Sequence, residues 1–188
     1  MKINTIQCKT LLTKSRLPEA DYCINPYVGC AHRCVYCYAR FMRRFTGHFE
    51  RWGDFVDVRI NAPMVLEKEL SRQPERGTIL LGSVTDVYQP LERRYRITRS
   101  LLEILLKYDF PISILTKSNL VIRDLDLFQR FSDCEVGLTI TTLDEQTARI
   151  FEPRCSSPRQ RIEALEILHT AGIKTYGFLG PVFPEITD

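Results

Sequence analysis

The 188-residue chain is 44% hydrophobic with a net charge of +3, which suits one globular domain with a sizeable core and argues for no polyanionic partner by charge alone. No apolar run is long enough to cross a bilayer, and Met1–Cys8 lacks the apolar stretch of a signal peptide, so a cytoplasmic protein without membrane contact is expected. Seven cysteines, an odd number, weigh against a disulfide scaffold of the secreted kind.

In chain order, residues 1–20 read as an N-terminal arm with a break at Pro18, followed by a core over 21–188. Residues 22–29 form a first strand leading into a cysteine loop, and Tyr38–Phe45 is helical. Residues 54–60 alternate and are extended. A helix follows, with Asn61 as N-cap and Pro63 in its first turn. Thr78–Gly82 is a short apolar run bounded by turn signals, which fits a buried parallel strand. A loop runs from Ser83 to Arg96. The next helix starts near Thr98 and carries Leu101, Leu102, Leu105 and Leu106. Residues 111–116 form a strand, 123–131 a helix and 134–141 a strand. Asp144 caps a short helix through Phe151. Ser157 and Pro158 open a longer one that Gly172 ends, and Ile173–Leu179 is the last strand. Alternating strands and helices mean an α/β fold with a parallel sheet and right-handed crossovers. Ligands of such sheets sit at the C-terminal strand ends, so the cysteine loop and the loops starting at Ser83, Lys117, Thr141 and Gly180 face one site.

Cys30, Cys34 and Cys37 form a C-x3-C-x2-C triplet inside Asn25–Ala39. Three thiols this close in sequence converge on one inorganic centre without distant help. Zinc sites pair two arms far apart in sequence, whereas no second Cys/His pair follows here. Three thiolates leave one position open for a ligand. His32 completing a Cys3His zinc site is the competing reading. Arg33, Arg40, Arg43, Arg44 and Arg51, interleaved with Phe41, Phe45, Phe49 and Trp52, suit phosphates and stacked bases, so a zinc-bound nucleic-acid-binding module is the alternative function. A solvated helix face beside a packed aromatic edge accounts for the same segment. Polar groups recur at the strand ends: Ser83, Thr85 and Asp86, then Lys117 and Ser118, then Thr139 and Thr141, with Arg154 soon after. They suit a zwitterionic cofactor. Lys117 or the fork of Arg154 meets a carboxylate. Thr85, Asp86 or Thr139 meets an ammonium or ribose hydroxyl. Gly177 and Gly180 admit a flat ring close to the backbone.

The triplet, with Tyr36 between its last two cysteines, resembles the radical S-adenosylmethionine superfamily. Asn25–Cys30, Gly82–Glu92, Leu115–Ser118 and Glu152–Arg154 extend the resemblance to the spore photoproduct lyase-like branch. It implies a 4Fe–4S cluster on the three thiolates, with the fourth iron chelating S-adenosylmethionine. It implies adenine near Tyr36, the methionine end and ribose at Ser83, Thr85 and Asp86, and matching places for Lys117 and Thr139. The implied fold is a partial parallel (β/α) barrel of six units, of which about five are present, the chain stopping just past the fifth strand. A truncated, inactive scaffold is therefore a further reading. The implied chemistry starts from an external electron donor of flavodoxin or ferredoxin type. S-adenosylmethionine is cleaved to a 5′-deoxyadenosyl radical, which takes hydrogen from a substrate left unidentified, nucleic acid being one class. Photoproduct lyases carry a hydrogen-donating cysteine in the loop after strand two. Val84 stands there in this chain, so thymine-dimer repair is not carried over. Spacing gives no reason to choose a donor among Cys8, Cys23, Cys134 and Cys155.

Overall fold

The computed structural model describes residues 1–187. Its elements are β1 (Lys2–Ile6), β2 (Thr13–Lys14), β3 (Tyr22–Ile24), β4 (Tyr27–Val28), a 3₁₀ helix (Tyr38–Phe45), β5 (Phe55–Arg59), α1 (Ala62–Leu70), β6 (Ile79–Leu81), α2 (Glu92–Tyr95) and α3 (Ile97–Tyr108). Then come β7 (Ile112–Thr116), a second 3₁₀ helix (Asn119–Asp124), α4 (Leu125–Phe128), β8 (Cys134–Thr139), α5 (Glu145–Phe151), α6 (Pro158–Thr170) and β9 (Lys174–Phe178).

The main sheet has the order β2-β3-β6-β7-β8-β9. From β3 to β9 every pairing is parallel, and β2 closes one edge antiparallel. These five parallel strands follow sequence order, as expected of successive βα units wound one way into a partial barrel. Alternation along each strand sorts the two faces. Ile79, Leu81, Ile112, Ile114, Val136 and Leu138 are buried in the core with Leu101, Leu102 and Leu105 of α3 and Ala164 and Leu168 of α6. Leu80, Ser113, Leu115, Glu135, Tyr176 and Phe178 line the concave inner face.

Three expectations are corrected in detail. The strand expected over 22–29 is two strands in different sheets, because Asn25-Pro26 interrupts it and Pro26 offers no ladder N–H. β4 joins a separate three-stranded sheet, β1-β5-β4, in which β1 runs parallel to β5 and β4 antiparallel to it. The first twenty residues therefore contribute two strands, β1 to this small sheet and β2 to the main one. The helix expected over 123–131 starts earlier as the 3₁₀ turn from Asn119, capped by Ser118 Oγ accepting from Leu120 N, and ends by Phe128. The Asp144 and Ser157 caps form as expected, the latter as a capping box with Gln160. Among the described residues no helix is long and apolar enough to cross a membrane.

Candidate metal and cofactor site

A cavity of about 800 Å³ runs along the concave face, from Thr78, Pro111 and Asp133 before the parallel strands to the loops at their C-terminal ends. Cys30, Cys34 and Cys37 all line it, together with Ser83, Thr85, Asp86, Lys117 and Thr139. This volume is in the range that holds a small-molecule cofactor.

The cysteine loop is held from β6's end. Gly29 adopts φ +89°, and a Cβ there would stand 2.5 Å from the carbonyl oxygen of Phe55. Its own carbonyl accepts from Thr85 Oγ1 at 2.7 Å. Fully buried Gln89 accepts from Ala31 N at 2.8 Å and donates to Thr85 Oγ1 at 3.1 Å. Asn25 clasps the facing loop, donating to Ser83 Oγ and accepting from Val84 N, each at 3.0 Å. Gly29→Ala is accordingly expected to destabilise the fold by at least about 1–2 kcal/mol from the left-handed backbone alone, and to lower iron uptake with it. Unfolding midpoints and bound iron check this; a variant that matches the parent in both contradicts it.

Asp86, in the loop after β6, joins the end of β7 to the cysteine loop. Its carboxylate accepts from Thr116 Oγ1 at 2.7 Å and from the N–H groups of Tyr88 and Lys117 at 2.9 Å. His32 Nε2 lies 3.2 Å from Asp86 Oδ2, near enough to pair though poorly aligned for a hydrogen bond, while Nδ1 meets the Arg154 carbonyl at 3.1 Å. Burial works to raise the Asp86 carboxyl, but His32 and the surrounding donors outweigh it and hold it below the usual range. Burial also works to lower the His32 pKa, and Asp86 reverses that.

The thiols differ in environment. Burial pushes the Cys30 and Cys37 thiols up. Cys34 is lowered to about 7, chiefly by a hydrogen bond from Cys155 and, against burial, by the Lys117 and His32 charges. Lys117 Nζ stands 5.8 Å from the Tyr36 ring centroid and donates to Thr139 Oγ1 at 3.5 Å.

Behind the cavity lies a second buried polar group. Glu152, 3% exposed, accepts from Arg161, from Thr141 Oγ1 at 2.8 Å and from the Tyr36 hydroxyl. Arg161, 1% exposed, also donates to the carbonyls of Ser156 at 2.8 Å and Thr139 at 2.9 Å. Thr141 Oγ1 reaches the Gly180 carbonyl at 3.2 Å.

Of the residues singled out from sequence, the cavity thus gathers Cys30, Cys34, Cys37, Ser83, Thr85, Asp86, Lys117 and Thr139. Tyr36, Thr141 and Gly180 belong to the Glu152 network behind it, and Ser118 caps the following turn. Arg154 lies outside, donating to the Gly53 carbonyl at 3.0 Å and standing 3.6 Å from Asp54. Asn25, Gln89, Glu152, Arg161 and Cys155 were missed. Asn25, Gln89 and Glu152 lie inside Asn25–Cys30, Gly82–Glu92 and Glu152–Arg154, where sequence marks the segment but not the role, whereas Arg161 and Cys155 lie outside these motifs.

The donor set suits an iron–sulfur centre, because thiolates are soft ligands. The three line one cavity, yet among the described residues no three His, Cys, Asp or Glu side chains are grouped to hold one metal ion. Both ring nitrogens of His32 already face Asp86 and Arg154, which weighs against the Cys3His zinc site.

Residues 24–188 match the model of the radical SAM superfamily. An uncharacterized protein of Methanocaldococcus jannaschii is 39% identical over all of this chain and 70% of its own length. An uncharacterized protein of Mycobacterium tuberculosis is 33% identical, over 97% of this chain and 56% of that protein. Spore photoproduct lyase of Clostridium acetobutylicum is 24% identical, over 88% of this chain and 48% of the lyase. Among solved structures, spore photoproduct lyase complexed with dinucleoside spore photoproduct superposes with a TM-score of 0.76 at 20% identity, over 97% of this chain and 52% of that one. The chain thus spans about half the length of several relatives it matches. Matched by that family model over all but its first twenty-three residues, and folded like spore photoproduct lyase, the chain belongs to the radical S-adenosylmethionine superfamily.

Proposed function

We propose that this chain is the core of a radical S-adenosylmethionine enzyme, with a 4Fe–4S cluster on Cys30, Cys34 and Cys37 and S-adenosylmethionine beside it. The observation that carries this is the single cavity shared by the three thiols and the polar groups at the ends of β6, β7 and β8. When bound, the pair supplies a 5′-deoxyadenosyl radical after reduction by an external one-electron donor, and that radical takes hydrogen from substrate. The protein's part is positioning and shielding. Lys117 Nζ, whose recorded side-chain hydrogen bond is a long one to Thr139, meets the cofactor carboxylate. Ser83 Oγ accepts from Asn25 with one of its two lone pairs, which leaves its proton to donate to the cofactor. Asp86 and Thr85 hold the loops in register. Glu152 fixes Tyr36 inside the triplet.

Lys117→Met keeps the side chain's length and removes its charge. A charge-assisted hydrogen bond contributes about 1.5–3 kcal/mol, so S-adenosylmethionine affinity of the reconstituted protein should fall roughly 10- to 100-fold. Titration calorimetry reads this directly, and 5′-deoxyadenosine formation should fall in parallel. Equal affinity in the variant refutes the assignment of Lys117.

One observation favours nucleic acid as the substrate class. Beside the cavity mouth, marked by Tyr38, the 3₁₀ helix and the loop after it leave Tyr38 69%, Phe45 70% and Phe49 96% exposed. The Arg44 guanidinium sits 5.7 Å from the Phe41 ring and 5.3 Å from Phe45, with Arg40 and Arg43 exposed nearby. Exposed aromatics among arginines match the way single strands are held, by stacking and phosphate contacts. Replacing Arg40, Arg43 and Arg44 with Glu should weaken single-stranded DNA binding. It should also flatten its salt dependence by roughly 0.7 per lost phosphate contact. An unchanged salt slope rules this rim out as the binding surface.

A further inference from the structure

We propose that Cys34 and Cys155 form a reversible disulfide in the cluster-free chain. Their sulfurs lie 3.7 Å apart, in van der Waals contact, and among the described residues no other cysteine pair is recorded in sulfur contact. The bonded distance is about 2.05 Å, so closure needs a movement smaller than one bond length. Neither residue is locked in a regular helix or strand: Cys34 sits in the turn before the first 3₁₀ helix, and Cys155 in the turn between α5 and α6.

The two turns are clamped together on either side of the thiols. Val35 N donates to the Phe151 carbonyl at 2.9 Å, and His32 Nδ1 meets the Arg154 carbonyl at 3.1 Å. Ser156 N, next to Cys155, donates to the Lys117 carbonyl at 3.1 Å. These bonds keep the sulfurs adjacent. Access exists from two sides. Cys34 faces the main cavity, and Cys155 lines a second one of about 500 Å³ between α5 and α6, together with Arg149, Glu152 and Arg161.

The oxidant is a low-molecular-weight disulfide, RSSR. One cysteine thiolate attacks it, forming a mixed disulfide and releasing RSH. The second cysteine then displaces the remaining RSH and closes the protein bridge. In sum two protein thiols are oxidised, RSSR is reduced to two RSH, and both protons leave on the products. The bridge keeps Cys34 from progressing to sulfinic acid, which is not readily reversed. On the reading of Cys34 as a cluster ligand, it also withholds one of three ligands until a dithiol reduces it.

The test uses the full cluster-free chain, glutathione disulfide and non-reducing peptide mapping by mass spectrometry. The expected product is a Cys34–Cys155 cross-linked peptide, reversed by dithiothreitol. Cys155→Ser should instead leave Cys34 as a glutathione adduct, and Cys134→Ser should leave the bridge intact. Bridges among Cys30, Cys34 and Cys37, or separate adducts on Cys34 and Cys155, overturn the proposal. Iron uptake by the bridged chain is read separately. Uptake equal to that of the reduced chain would count against Cys34 as a cluster ligand while leaving the bridge standing.

Discussion

Replacing Glu92 with Ala is expected to cost the fold about 3–5 kcal/mol, because it leaves the Tyr27 hydroxyl and the Thr98 N–H buried without an acceptor, at about 1–3 kcal/mol each, while Arg123 keeps its second partner, Asp124. Glu92 has no exposed surface, and its carboxylate accepts from Arg123 at 2.8 Å, from Thr98 N at 3.0 Å and from the Tyr27 hydroxyl. Arg123 bridges onward to Asp124, also fully buried, which further accepts from Tyr88 at 3.0 Å and Arg99 at 2.9 Å. The network joins β4, α2, α3 and the second 3₁₀ turn. A domain of this size has roughly 5–15 kcal/mol of stability in all, so the variant should melt about 6–20 °C lower. Glu92→Gln retains the shape and one of the two acceptor oxygens and should lose less. Should Glu92→Ala melt within about 1 kcal/mol of the parent, the network is not holding the fold.

Glu152→Ala is expected to strike both fold and site. It leaves the Arg161 guanidinium buried without a counter-charge, again about 3–5 kcal/mol, and frees Tyr36, which sits between Cys34 and Cys37. Burial works to raise the Glu152 carboxyl, but Arg161 and the Tyr36 hydroxyl overcome it, so the group is held as a carboxylate. Iron bound per chain after anaerobic reconstitution should drop along with the melting temperature. Double replacement, Glu152→Ala with Arg161→Met, removes the orphaned charge and should recover stability without recovering Tyr36's anchor. Recovery of neither, or of both, would show that the two effects are not separable as argued.

Strand β6 is legible as a short apolar run between turn signals, β7 to β9 by their alternation with helices, and helices α5 and α6 because Asp144 and Ser157 announce their caps. What the chain order cannot carry is which sheet a strand joins. Residues 54–60 were readable as extended, but their pairing with Lys2–Ile6 depends on contacts across half a hundred residues. The same limit governs the site. The triplet declares itself by spacing, and Asp86, Lys117 and Thr139 by their place at strand ends. Within Glu152-Pro-Arg154 the exposed-looking arginine drew attention as a carboxylate ligand, whereas the carboxylate is the residue that turns inward, because Arg161 waits one helix turn into α6 to neutralise it. Cys155 meets Cys34 only through the packing of two turns, which no spacing encodes.

The most direct test of the central claim is iron and acid-labile sulfide content after anaerobic reconstitution, compared between the parent chain and Cys30→Ala, Cys34→Ala and Cys37→Ala. The account expects about four irons and four sulfides per parent chain, an electron-paramagnetic signal of the reduced cluster that shifts when S-adenosylmethionine is added, and loss of the cluster in each variant. A colourless parent that binds one zinc ion instead, or a cluster that survives removal of any of the three thiols, would contradict it.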